Sequence, residues 1–145
     1  METSLKMNYD LLTELWRDIN IAWRKKLEPI CKEQGVTYLD RLILDAVNKR
    51  PHLNKKELAL QLNAIHQNLT RSLNRLTQQK LIQLAKSTQD MRVIEISLTP
   101  KGQRVNLKLN KAINSVWKAS LQDIQNQQIT TLTNVLKKQL SYLES

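Results

Sequence analysis

Cysteine occurs once, glycine twice and histidine twice in these 145 residues, and each scarcity removes a class of function. A single cysteine, Cys31, rules out an internal disulfide and suits a reducing cytoplasm. Two glycines, Gly35 and Gly102, cannot build a glycine-rich phosphate loop or a Rossmann turn. His52 and His66 stand at no spacing that suggests a nucleophile–base pair, and with Cys31 they form no zinc-like ligand pair. No catalytic residue, metal or cofactor is therefore expected, and the chain reads as a non-enzyme. No apolar run approaches the ~18 residues that cross a bilayer, so no membrane partner is expected. The opening METSLKMNYD lacks the basic-then-apolar layout of a secretory signal, which points to a cytoplasmic protein.

Acidic residues are also scarce in one place. Of 23 basic and 13 acidic side chains, residues 49–86 hold eight basic ones against Glu57 alone, whereas residues 1–48 are nearly balanced. A local excess of this size is the electrostatic footprint of a polyanion-binding surface. With 41% hydrophobic and 25% charged residues the chain reads as globular. Its length suits one domain spanning 1–145 with a core of its own.

Leu12, Leu15, Trp16, Ile19, Trp23, Leu27 and Ile30 recur at helical spacing, with Pro29 as the expected end. Thr37 is placed to cap a second helix with Leu39, Leu42, Ile43, Ala46 and Val47 on one face. Asn54 caps a short helix, KKELALQL, and Glu57 completes a capping box. Asn63 tolerates the left-handed turn that follows. A helix from about Ile65 to Gln79 then makes a helix-turn-helix. Alternation in Ile82, Leu84 and in Ile94, Ile96, Leu98 predicts two strands joined by TQDMR, a two-stranded β-wing. Thr99 and Pro100 open a long helix of roughly 25 residues, about 38 Å at 1.5 Å per residue. QDIQNQQ separates it from a last helix with Ile129, Leu132, Leu136, Leu140 and Leu143. A helix longer than a small domain is wide leaves apolar surface for a second copy, so a homodimer is expected.

At 100° per residue, Ile65, Leu69, Ser72, Leu73 and Leu76 form the inner face of the helix from Ile65 to Gln79. The outer face gathers Gln67, Arg71, Asn74 and Gln78, flanked by Asn68, Thr70 and Arg75, without one carboxylate. Asn and Gln pair with adenine and Arg with guanine through two hydrogen bonds, and Thr serves a phosphate or a thymine methyl. Lys55, Lys56 and Arg75 are candidate phosphate contacts.

The stretch ELALQLNAIHQNLTRSLNRLTQQKLIQLAKSTQDMRVIEISLTPKGQ resembles the DNA-binding core of the MarR (multiple antibiotic resistance regulator) family. NLTRSLNRLTQQKLI is similar to its recognition helix, DMR to its Asp-x-Arg wing signature and LTPKG to its strand-to-helix exit. The resemblance implies a mainly α fold, a winged helix-turn-helix over 36–99 flanked by dimerisation helices over 1–34 and 100–145. It implies that Arg92 enters a minor groove, that Asp90 orients it, and that Lys86 supports the wing. Arginine is favoured in a narrow A·T-rich minor groove, where the negative potential is enhanced. The family also implies a small-molecule effector, for which Trp16, Trp23 and Tyr38 are pocket candidates, with core packing as the other reading of these aromatics. Cys31 is either an oxidant sensor, with Lys25, Lys26 and Lys32 near it in sequence, or a buried structural thiol. Two positions depart from the family pattern. Lys80 stands where glycine usually follows the recognition helix, and a left-handed residue there costs about 1–2 kcal/mol. Ile65 stands where a polar N-cap is common. The function implied is a cytoplasmic bacterial regulator, a ligand- or signal-responsive repressor that binds a pseudo-palindromic double-stranded DNA operator as a homodimer. The alternative is a winged-helix protein-interaction module without specific DNA binding.

Overall fold

The computed structural model describes residues 7–145; residues 1–6, part of the expected first segment and of the opening decapeptide, lie outside the described residues. The chain forms two compact units, Met1–Asn110 and Lys111–Ser145.

In the first unit α1 spans Tyr9–Glu33, and the Asn8 side chain accepts from the Leu11 N–H at 3.0 Å. Pro29 does not end it: the helix carries Pro29 within it and runs on for another turn. Proline in a helix interior loses a hydrogen bond and crowds the carbonyl four residues back. Packing offsets that cost, because buried Leu27 and Cys31 flank Pro29 and Ile30 packs against the core. The first two-thirds of α1, by contrast, leaves Leu12, Leu15, Trp16 and Ile19 exposed.

Helix α2, Tyr38–Lys49, starts in a complete capping box between Thr37 and Asp40. A two-residue strand β1, Leu53–Asn54, precedes α3, Lys55–Leu62, whose capping box joins Asn54 and Glu57. Asn63 closes α3 in the left-handed conformation, φ 48°. Helix α4 spans His66–Gln78, with Ile65 at the N-cap making no side-chain capping bond. Strands β2, Ile82–Lys86, and β3, Ile94–Leu98, form the wing. The wing has the expected two strands, and β1 adds a third to the sheet, which is antiparallel throughout in the order β1-β3-β2. Leu53 opposite Ile96 supplies the reason, since both side chains are buried and the pairing carries the core beneath the sheet.

The core joins Leu44 and Val47 of α2, Leu58 of α3, Leu69 and Leu76 of α4, and Ile82 and Ile96 of the sheet. Helix α5 spans Pro100–Ser120, shorter than the sequence suggests. Its start is clasped to the end of α4. Thr99 donates its hydroxyl to the Lys80 carbonyl and its N–H to the Leu81 carbonyl, and the Lys101 ammonium donates to the Gln79 carbonyl. A Cβ at Gly102 would lie 1.9 Å from the Leu81 oxygen, so the approach requires glycine. Lys80 takes the left-handed conformation, φ 60°, where the family pattern places glycine.

The second unit comprises the rest of α5 and α6, Asn126–Leu143, separated by a turn at 121–125 that overlaps the start of the expected glutamine-rich break, whose last three residues already belong to α6. No described residue of α6 is buried, and Leu132, Leu140 and Leu143 are exposed. Among the described residues no helix is long and apolar enough to cross a membrane.

Candidate nucleic-acid interface

Helix α4 is sided as its sequence dictates. Leu69, Ser72, Leu73 and Leu76 are buried, and Gln67, Asn68, Arg71, Asn74 and Gln78 are exposed. His66, Gln67, Thr70, Arg71 and Asn74 line one shallow open concavity along the outer face. Thr70 is half-buried, and its hydroxyl receives a hydrogen bond from the Lys55 ammonium. Lys55 also lies 3.2 Å from His66 Nε2, so it bridges the first residue of α3 to the first turn of α4. Lys56 beside it is exposed.

Arg75, expected on this face, is turned away from it. Its guanidinium donates to both carboxylate oxygens of Asp40, at 2.9 and 3.3 Å, and to the hydroxyls of Ser72 and Thr37. The helical wheel places position 75 between the two faces, and a buried carboxylate on α2 draws it inward.

The wing tip is built by two short side chains. Ser87, buried at the end of β2, accepts at its hydroxyl from the backbone N–H groups of Gln89 and Asp90, at 3.2 and 3.4 Å. Ser87 is a residue that sequence reasoning missed, although a serine three residues ahead of a turn aspartate is a signal of such a bend. Asp90 Oδ1 accepts from the Arg92 backbone N–H at 3.1 Å and from its Nε at 3.2 Å. Arg92 holds the Asp90 carboxyl below the ordinary 3.8, first through its side chain and then through its backbone N–H. The Arg92 side chain is itself 92% exposed. A hydrogen-bonded turn thus presents a solvated cation. Lys86, the last residue of β2, is exposed and pairs with Ile94.

The three aromatics are placed differently from one another. Trp16 lies on the exposed stretch of α1, Trp23 is half-buried about 10 Å further along it, and Tyr38 opens α2 beneath the Arg24 guanidinium, 5.3 Å from the ring centroid. Cys31 is fully buried, and burial pushes its thiol up; Arg41 opposes this, while Asp40 and Glu28 add to it. The lysines near it in sequence are not what acts on it. Among the described residues no group of three or more His, Cys, Asp or Glu side chains could hold a metal ion.

A capped helix pair, a left-handed turn, an outward polar helix face and a braced wing define a winged helix-turn-helix protein. The chain belongs to the SarA/Rot family of transcriptional regulators, whose model matches residues 25–109, more than half of the chain. It is thus homologous to transcriptional regulators. No curated protein sequence matches it closely. Its fold is that of the MarR regulators. The crystal structure of a MarR family transcription regulator superposes with a TM-score of 0.82 at 18% identity, covering 94% of this chain and 92% of that one. FabT of Streptococcus pneumoniae, crystallised in complex with DNA, gives 0.81 at 19% identity over 94% of this chain and 98% of its own. A mutant MarR from E. coli gives 0.78 at 20% identity over 89% and 96%.

Proposed function

We propose that this protein binds double-stranded DNA sequence-specifically as a cytoplasmic homodimer and represses transcription from a pseudo-palindromic operator under the control of a small-molecule effector. The observation that carries the reading is the pairing of an outward α4 face, free of carboxylates, with a wing arginine braced by its own aspartate. Gln67, Asn68, Arg71 and Asn74 read base edges in a major groove, and Thr70 is held by Lys55 at the edge of that face. Arg92 enters the adjacent minor groove, and Lys56 and Lys86 meet phosphates. Two copies place two α4 helices about one helical turn apart, roughly 34–36 Å. Exposed Leu12, Leu15, Trp16 and Ile19 on α1, and Leu132, Leu140 and Leu143 on α6, supply the apolar faces for pairing. The flanking helices and the winged core act as one functional domain, and the effector binds near Trp23 and Tyr38.

The test is binding, by fluorescence anisotropy, to the duplex upstream of the protein's own gene against a scrambled duplex, at two salt concentrations. Tight, salt-sensitive binding that prefers the native duplex and weakens in Arg92→Ala is the expected result. Equal weak binding to these and to random-pool duplexes would instead favour the interaction-module reading.

A further inference from the structure

Arg75 occupies the third turn of α4 yet makes its contacts inward. Its partner Asp40 has 0% exposure. That carboxylate accepts from the Thr37 backbone N–H at 2.9 Å as well as from the guanidinium, and the Asp40 N–H donates back to the Thr37 hydroxyl at 3.1 Å. One carboxylate therefore closes the capping box of α2 and holds α4. We propose that Arg75 is a positioning residue: through Asp40 it fixes the rotation of the recognition helix about its own axis, and it does not touch DNA. This rests on the DNA-binding reading above.

Two arguments carry it. The first is electrostatic. Swinging Arg75 onto a phosphate would strip a fully buried carboxylate of its counter-charge, and an uncompensated buried charge is strongly unfavourable. The second is geometric. Leu69, Leu73 and Leu76 press α4 onto the core, but an aliphatic stripe resists lifting better than it resists rolling. A planar guanidinium with two bonds to a carboxylate sets orientation as well as distance. A roll of roughly 20° moves a side-chain tip about 5–6 Å from the axis by about 2 Å, enough to break a two-bond contact with a base edge. The pair spans 35 positions in sequence, so it links the helix to the scaffold and not to itself.

The conservative variant discriminates. Lysine is a good phosphate ligand but has no planar fork, so Arg75→Lys preserves a phosphate contact and loses a positioning one. The probe is a duplex selected by the wild-type protein from a random pool. Arg75→Lys is expected to weaken binding to it by about tenfold, to leave binding to scrambled DNA unchanged, and to keep the wild-type slope of log affinity against log salt. Asp40→Asn is expected to give the same loss, and the double variant no further loss. Wild-type affinity in Arg75→Lys, or a slope reduced by about one unit in Arg75→Gln, would overturn the proposal. If these variants do not fold, the wild-type protein decides by nitrogen-15 NMR. The Arg75 Nε–H signal should exchange slowly and keep its shift when the duplex is added, while Arg71 and Arg92 signals move; an Arg75 signal that moves with them refutes the assignment. A wild type that selects no sequence from the pool overturns the DNA reading itself and this one with it, even if the free-protein signal shows the pair intact.

Discussion

Asp90 and Arg92 show how much one residue pair does at a solvated tip. The carboxylate fixes the arginine's own backbone N–H as well as its guanidinium, so the cation is aimed before it meets anything. Because the Asp90 carboxyl is held below its ordinary 3.8, the brace is complete above that value and is lost as pH falls through the lowered one. Carbon-13 NMR titration should give an Asp90 midpoint below 3.8. Arg92→Ala should raise it only part of the way back, because the backbone N–H of residue 92 still donates. A wild-type midpoint at the ordinary value contradicts the brace. At the same scale, Arg71→Ala should weaken specific binding by about 1–3 kcal/mol and relax base preference. Lys56→Ala should weaken all duplexes alike and reduce the salt slope by about one unit. Anisotropy titrations over a salt series separate the two outcomes.

At the scale of elements, what is local in sequence was legible and what is tertiary was not. Thr37 with Asp40 and Asn54 with Glu57 act across three positions, so both helix starts are written in the sequence. Pro29 misleads because the burial that carries α1 past it comes from other elements. Strand β1 has only two residues, too few for alternation, and exists through its pairing with β3. The inward turn of Arg75 depends on a carboxylate 35 positions away. The face of α4 was legible because it repeats along a single helix, and the wing pair because Asp90 and Arg92 stand two residues apart in one turn. Lys80 and Gly102 then make opposite predictions. Lys80→Gly should raise stability by up to about 1 kcal/mol, since relief of the left-handed strain exceeds glycine's entropic cost. Gly102→Ala should lower it by about 1–3 kcal/mol, because the new methyl meets the Leu81 carbonyl. Urea unfolding of both variants checks the signs; a neutral Gly102→Ala would mean that the clasp yields.

For the whole molecule, the sequence argued for a second copy from helix length, and α5 is shorter than that argument assumed. Exposed apolar surface favours a second copy more strongly than helix length does. Three leucines of α6 lie open, and full burial of each would contribute about 1.5–3 kcal/mol. Sedimentation equilibrium should give twice the 16.9 kDa chain mass. Leu132→Asp with Leu140→Asp should give the single mass, with weaker binding to a two-half-site duplex and unchanged binding to one half-site. A wild type that sediments as a single chain would remove the spacing argument.

Cys31, buried in the last turn of α1 near Asp40 and Arg41 of α2 and the chain's one thiol, makes the protein its own clock. A thiol reagent reaches it only when the junction of those helices opens, so at high reagent concentration the labelling rate equals the opening rate. Each labelled molecule records a single opening event. Followed by mass spectrometry with and without DNA, the count reports how often the scaffold behind α4 breathes, without an introduced probe.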